Sequence, residues 1–408
     1  MTSVSFSWPA IAVGVVFAIA GGVAALLALY LLLVAVAALL GTRRVSSAPS
    51  AQAQSALAVV VPAHDEEQLI ARAVASLRNQ TYPRGLYEIF VVADNCTDDT
   101  AKIAARAGAI VLVRDDPRTR GKGHALRWAF DHILGGDDPP DALVVVDADS
   151  VADPTFLAIL ENRFQAGAEA VQGESLLAPD RSASGALRAA AFLLVNRTRP
   201  LGRAALGLPA RLSGNGMLFG RRVLEDHPWD AFTSTEDVEY AVKLRLDGID
   251  PVFARRAIVL SPVAPTAPAA DEQQRRWEGG QLHLARTYVP SLIFRAVRER
   301  RARYLDIALE LAVPPIGYLA AASAGLVAAG AVLVVIGLTE AWAVVPATVG
   351  SVALALYVVI GLRAAEAPAS SYRALLGAPR LVLSKVAKMH RLRGFRPDSW
   401  VRTERRGD

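Results

Sequence analysis

The stretch Ala142-Leu143-Val144-Val145-Val146-Asp147-Ala148-Asp149 decides how this chain is read. Five apolar residues in a row, three of them β-branched valines, describe a strand buried on both faces. Two carboxylates then follow, one residue apart. Strands of that kind belong to parallel sheets covered by helices, and ligands of such sheets bind beyond the carboxyl ends of the strands.

Reading backwards from this strand, the same alternation recurs. Ala56–Val61, Glu88–Ala93 and Ile110–Arg114 read as further strands. Between them, Glu67–Asn79, Asp99–Ala107 and Gly123–Ile133 carry apolar residues at helical spacing, as with Leu69, Ile70, Val74 and Leu77. The order predicts an α/β domain with a mostly parallel, Rossmann-like sheet. Polar groups stand at the predicted strand ends: His64-Asp65-Glu66-Glu67, Asp94-Asn95 and Asp147-Ala148-Asp149. No Gly-x-Gly-x-x-Gly turn follows the first strand, and no Gly-x-x-x-x-Gly-Lys-Ser/Thr loop occurs, which argues against dinucleotide and P-loop sites.

Each cluster has a chemistry and a plainer alternative. Asp147 and Asp149 can share one hard cation, Mg²⁺ or Mn²⁺, and so neutralise a diphosphate; strand-end aspartates are also common turn residues. Asp94 can accept hydrogen bonds from a base or ribose, whereas Asp98 and Asp99 read as helix caps. Arg118-Thr119-Arg120-Gly121-Lys122-Gly123 opens a helix with cations and backbone N–H groups that suit a phosphate. Thr235-Glu236-Asp237 precedes a helical stretch, Val238–Leu246, where a carboxylate can act as a base or merely as a cap. Ser213-Gly214-Asn215-Gly216 is a tight turn whose backbone can approach an acceptor. Gln273-Gln274-Arg275-Arg276-Trp277 puts an amide, a cation and an indole on one helix side; an interfacial Trp-Arg pair is the plainer reading.

Outside this region the chain turns apolar. Apolar residues make up 53% of its 408 residues and charged ones 20%, with the excess at both ends. Ile11–Leu40, Leu311–Leu338 and Trp342–Leu362 are each long enough to span a bilayer. The first is too long for a signal-peptide core and lacks a basic start, so it reads as an uncleaved anchor despite Ala51-Gln52-Ala53. Pro314-Pro315 marks the entry to the second span or a kink in it. Arg43 and Arg44, the arginines between 295 and 303, and Arg363 flank the spans on one side, which predicts a cytoplasmic face for 43–305 and an outside N-terminus. Segments 282–304 and 371–393 mix apolar and basic residues and suit the membrane surface. The net charge of +5 thus reads as membrane-flanking rather than nucleic-acid-binding, and a single cysteine, Cys96, excludes an internal disulfide framework and a cysteine-rich zinc site.

The ordered set Asp94, Asp147-Ala148-Asp149, Thr235-Glu236-Asp237 and Gln273-x-x-Arg276-Trp277, behind Val61-Pro62-Ala63-His64-Asp65-Glu66-Glu67, resembles the family-2 glycosyltransferases with a GT-A fold. In pattern it is similar to the cellulose-synthase-like and hyaluronan-synthase-like membrane-bound bacterial polysaccharide synthases. The resemblance implies that Pro62, Ala63, Glu67, Asp94 and Lys122 surround the nucleotide, usually uridine diphosphate, with Asp147 on the same side. It implies that Asp147 and Asp149 hold Mg²⁺ or Mn²⁺, that Asp237, with Glu236 beside it, is the general base, and that Gln273, Arg276 and Trp277 line the acceptor end and steady the diphosphate. Transfer would invert the anomeric centre by direct displacement.

The expected layout is an anchor (1–45), a linker (46–56), a GT-A domain (57–281), an interfacial region (282–310), two transmembrane helices (311–362) and a basic tail (363–408). The expected setting is the inner membrane. Three spans cannot alone enclose a polar channel for a polymer. That leaves two enzymatic expectations, extension of a polysaccharide with the help of further copies or a secretion partner, and transfer of one sugar to a lipid such as polyprenyl phosphate, diacylglycerol or ceramide. An inactive nucleotide-binding scaffold would be expected to lack the carboxylate pair or the base, and both are present.

Overall fold

The computed structural model describes residues 8–41, 54–178, 183–264, 266–388 and Phe395. Arg43, Arg44, most of the predicted linker with Ala51-Gln52-Ala53, and most of the chain beyond 388 lie outside the described residues. The described chain runs α1 (Trp8–Gly41), β1 (Leu57–Ala63), α2 (Ile70–Arg78), β2 (Tyr87–Asp94), α3 (Thr100–Arg106), β3 (Ile110–Arg114), α4 (Lys122–Leu134) and β4 (Ala142–Val145). It continues with β5 (Val151–Ala152), α5 (Phe156–Gln165), β6 (Ala170–Leu177), α6 (Ala183–Leu193), α7 (Arg199–Ala205), β7 (Met217–Gly220), α8 (Arg221–Asp226), α9 (Glu236–Leu246) and β8 (Val252–Ser261). Helices α10 (Ala267–Glu299), α11 (Ala302–Ala312), α12 (Ile316–Val335), α13 (Val345–Ala364), α14 (Ala369–Ala374) and α15 (Ala378–Lys388) complete it.

The chain forms two compact units. One comprises Arg43–Asp180, Arg203–Leu284 and Phe395–Asp408 and contains the sheet. Its strand order is β3-β2-β1-β4-β7-β6-β8-β5. Strands β3, β2, β1 and β4 run parallel, as their sequence predicts. Strand β7 is antiparallel to both β4 and β6, while β6 and β8 are parallel. The mixed half follows a part of the sequence where periodicity alone assigned no strands.

Alternation along β1 sends its residues to two cores. Leu57, Val59 and Val61 join Ile70, Val74 and Leu77 of α2 and Phe156 and Leu160 of α5. Ala58 and Val60 face Leu126 and Phe130 of α4 and Tyr240 and Leu244 of α9. Helices therefore cover both faces. The chain leaves β1 for β2 on one side and returns to place β4 on the other, so the crevice between the carboxyl ends of β1 and β4 is the switch point where this architecture binds ligands.

The second unit, Met1–Thr42, Arg181–Gly202 and Ala285–Gly394, is helical. Among the described residues, three helices of this unit are long and apolar enough to cross a membrane: Ala10–Gly41, Ile316–Val335 and Ala341–Ala364. Small residues let two of them approach closely. A Cβ on Gly21 would lie 2.8 Å from Ala347 N, and one on Gly350 would lie 3.0 Å from Ala25 Cα. Pro315 is the N-cap of α12, so the Pro314-Pro315 pair separates two helices rather than kinking one. Within this unit the stretch Arg181–Gly202, which lies between β6 and β7 in sequence, is tied to α13: Thr198 Oγ1 donates to Gly361 O at 2.7 Å and Tyr357 Oη donates to Leu194 O at 3.1 Å. Ile293, Phe294 and Val297 of α10, Leu305 of α11 and Leu383 of α15 are exposed apolar side chains.

Candidate active site

The strand-end loops are tied to one another before they reach any ligand. After β1, the exposed Glu67 donates its backbone N–H to Asp98 and accepts from Asp99 N on its own carboxylate, both at 3.2 Å. Asp65 accepts from Thr97 N at 2.6 Å. Pro62 is half-buried and Ala63 buried at the end of β1. Ligand atoms of Asp65, Cys96 and Asp98 lie within 4.8 Å of one another. Both carboxylates there already accept hydrogen bonds from Thr97 and Thr100, which shape the loop. Burial pushes the Cys96 thiol up to about 11, and a protonated sulfur is a poor partner for a hard cation.

Asp94, the last residue of β2, is buried and paired with the equally buried Arg114 at the end of β3, at 2.6 Å. Asn95 Nδ2 donates to the same carboxylate oxygen at 2.9 Å. Burial raises Asp94 above the usual carboxylate range, and Arg114 works against that shift. Arg114 continues to Asp116 at 3.1 Å and to Thr119, so the basic loop is braced on Asp94. The sequence singled out Asp94 but not Arg114; the signal was a charge at the carboxyl end of β3, like those at the other strand tips.

Lys122 opens α4. Its Nζ donates to Asp147 Oδ1 at 2.5 Å and to Gly214 O. Burial alone would lower this ammonium, but the charges of Asp147, Glu236 and Asp237 outweigh it and hold it above its ordinary range. Gly214 has φ +76°, and a Cβ there would sit 3.3 Å from Asp237 Oδ2 and 3.5 Å from Lys122 Nζ. Asp147, Lys122, Gly214 and Asp237 are therefore neighbours, although they come from the loop after β4, from α4, from a turn and from α9. Asp149 is buried and accepts from Ser150 Oγ at 3.0 Å.

Glu236 and Asp237 form the first turn of α9, where the helix dipole favours negative charge. Burial, then repulsion from Asp237, pushes Glu236 up to about 7, with Lys122 opposing. Burial also raises Asp237, against the charge of Arg211. The approach to this turn is anchored by Trp229, packed against Tyr240 and Phe219 with Nε1 donating to Ala231 O at 3.0 Å. Gly123 permits the close passage of that segment over α4, since a Cβ there would lie 2.3 Å from Ala231 O.

Gln273, Arg276 and Trp277 lie on α10, with Trp277 44% exposed. One turn further on, Gly280 packs on the acidic motif: its Cβ would come within 2.5 Å of Thr235 Cγ2. Arg275 instead pairs with Glu272 at 2.7 Å and stacks over Phe395. Asp147, Lys122 and the α9 acids thus share one neighbourhood, with Gly280 of α10 packed on its edge, and Glu67 also ties the loops after β1 and β2 together.

The sequence and the fold resemble those of known proteins. The family model described as "Glycosyltransferase like family 2" matches residues 53–280. The β-monoglucosyldiacylglycerol synthase of Nostoc sp. is 30% identical over 232 residues, covering 55% of this chain and 48% of that protein. A low-salt glycan biosynthesis hexosyltransferase of Haloferax volcanii is 35% identical over 111 residues, covering 27% of this chain and 25% of that protein. The chain thus spans about half the length, or less, of these curated relatives. Among solved structures, a mannosyltransferase from Pyrobaculum calidifontis, in complex with GDP-Man and Mn²⁺, aligns with a TM-score of 0.50 over 83% of this chain and 98% of that one, at 20% identity. That likeness is one of fold, the GT-A arrangement of sheet and helices. The match over 53–280 covers more than half of the chain, which is accordingly a glycosyltransferase belonging to the glycosyltransferase-like family 2.

Proposed function

We propose that this protein transfers a single sugar from a nucleotide-diphosphate sugar, with uridine diphosphate as the expected nucleotide, to a hydroxyl of a membrane lipid, inverting the anomeric centre. One observation carries the reading: Lys122 bridges Asp147 and the Gly214 turn, and that turn lies against Asp237. A leaving-group site and a base then share one neighbourhood, as direct displacement needs. The acceptor class is supported by the name of the Nostoc relative and by the three apolar helices.

Asp237 takes the proton of the acceptor hydroxyl as its oxygen bonds to the anomeric carbon. The bond from that carbon to the diphosphate breaks, and the nucleoside diphosphate leaves with the electron pair. Lys122 moves its charge from Asp147 towards the departing phosphate, and Arg276 steadies the diphosphate from α10. Asp94, held by Arg114, receives the nucleoside beside Pro62 and Ala63. Asp147 and Asp149 offer the hard oxygen ligands that Mg²⁺ or Mn²⁺ prefers, and Lys122 already places a positive charge on one of them. Such an ion supplies charge neutralisation at the leaving diphosphate. The basic flanks support a cytoplasmic side for the catalytic unit, with the turn between α12 and α13 on the other side of the membrane.

The test is a panel of UDP- and GDP-sugars offered to purified protein in nanodiscs containing diacylglycerol or ceramide, with Mg²⁺ or Mn²⁺. One lipid-soluble product per acceptor is expected. A ladder of chain lengths would instead favour the second reading, extension of a polysaccharide, for which the Gln273-x-x-Arg276-Trp277 pattern speaks. Absence of nucleotide release with every donor overturns both.

A further inference from the structure

Behind the two strand-tip aspartates lies a buried polar knot centred on Asn215, a side chain 2% exposed. Its Oδ1 accepts from the backbone N–H of Asp147 at 3.1 Å. Its Nδ2 donates to Ser150 Oγ at 2.8 Å and to Ser261 Oγ at 3.1 Å. Ser150 Oγ donates in turn to Asp149 Oδ1 at 3.0 Å, and the two serine hydroxyls lie 3.0 Å apart. Asn215 O accepts from Gln172 Nε2 at 2.8 Å, while Gln172 Oε1 accepts from Ser213 N at 2.9 Å. One amide thus reaches both aspartates, Asp147 through its backbone and Asp149 through Ser150, and its own backbone is fixed from β6.

The turn that carries Asn215 also carries Gly214, whose carbonyl accepts from Lys122 and whose α-carbon faces Asp237. Gly214 and Gly216 flank Asn215 at φ +76° and +73°, a backbone path that only glycine follows without strain. The amide is therefore aimed inwards while the backbone beside it faces the site.

We propose that Asn215 is a positioning residue that sets the spacing of the Asp147 and Asp149 carboxylates and locks them in register with Asp237. The inference rests on the reading of those two aspartates as cation ligands. Groups that orient metal ligands from behind typically contribute about 10- to 100-fold in metal affinity. A purely structural role for the same knot would weaken folding without touching that affinity, and Ser261 provides the comparison, because it belongs to the knot but contacts neither aspartate.

The experiment is Mn²⁺ binding to the full chain in detergent, followed by electron paramagnetic resonance, with thermal unfolding measured in parallel. Asn215→Ala is expected to weaken Mn²⁺ about 10-fold or more, and Ser150→Ala roughly 3- to 10-fold. Ser261→Ala is expected to bind within about twofold of wild type even where its unfolding temperature drops. Wild-type affinity in both Asn215→Ala and Ser150→Ala overturns the inference, as does an equal loss in all three variants. If Asn215→Ala does not fold, Ser150→Ala alone decides between these outcomes. Asp149→Asn identifies failure of the underlying reading: if it binds Mn²⁺ like wild type, the cation assignment falls, and the proposed role of Asn215 with it.

Discussion

The strand-tip carboxylates and the helix-tip carboxylates of the catalytic unit are built on different terms. Asp94, Asp147 and Asp149 are each held by a named donor: Arg114, Lys122 and Ser150. Glu236 and Asp237 stand side by side on one helical turn; burial raises the proton affinity of both and Asp237 raises that of Glu236 further, with Lys122 and Arg211 only partly compensating. On the proposed mechanism the first set stays in place while charge arrives and the second takes a proton. The difference teaches that acidic residues of similar appearance in the sequence are separated in role by what is packed around them.

The largest expected effect tests the proton-taking side. Asp237→Asn should lower kcat by about 10³-fold while donor affinity, measured by nucleotide-sugar titration, stays within about twofold. Near-normal turnover would remove the distinction between the two sets. The holding side is tested next. Arg114→Met leaves Asp94 buried without its cation and should cost about 3 kcal/mol in thermal unfolding, with a weaker donor KM. A variant as stable as wild type would show that Asp94 needs no clamp.

The link between the sets is sharpened by Gly123→Ala. Its new methyl must displace the Ala231 carbonyl and with it the approach to Asp237, at a cost of about 2 kcal/mol and a loss in kcat that exceeds the loss in donor binding. An unchanged kcat would mean that the segment before α9 has room to adjust.

The smallest effect is one of pH. Glu236 takes a proton more readily in the folded chain, so its contribution to stability is complete below its ordinary value of 4.5 and is lost as pH climbs through about 7. Glu236→Gln should therefore gain on the order of 1 kcal/mol over wild type at pH 8 and nothing at pH 4, after allowance for solvent around a half-buried group. A gain at pH 4 instead would reverse the sign of the argument. Asp237 sharpens the same point kinetically: its acid limb in kcat/KM should lie above the ordinary carboxylate range and move higher in Arg211→Ala.

Much of the half built by β1 to β4 was legible because local pattern and tertiary position coincide there. Strands β1 to β4 are short apolar runs closed by polar residues, and Asp94, Asp147 and Asp149 stand where a parallel sheet presents its ligands. The half built by β6, β7 and β8 was less so. Strands β6, β7 and β8 run in mixed directions, and pairing of β7 between β4 and β6 joins segments far apart in sequence, which no periodicity announces. The Ser213–Gly216 turn was visible as a turn, but its asparagine was not visible as a hub, because all of its partners lie at least 43 residues away.

The sequence by itself determined the α/β order of the catalytic unit, the carboxylate sets at strand and helix tips, and the three apolar helices. Those properties are written in residue type and spacing, which act over a few residues. Only the tertiary structure decided that Arg114 clamps Asp94, that Lys122 stands between Asp147 and the turn beside Asp237, and that Glu67 ties loops together. Each of those outcomes depends on which distant segment is packed alongside, and charge and burial act through that packing rather than along the chain.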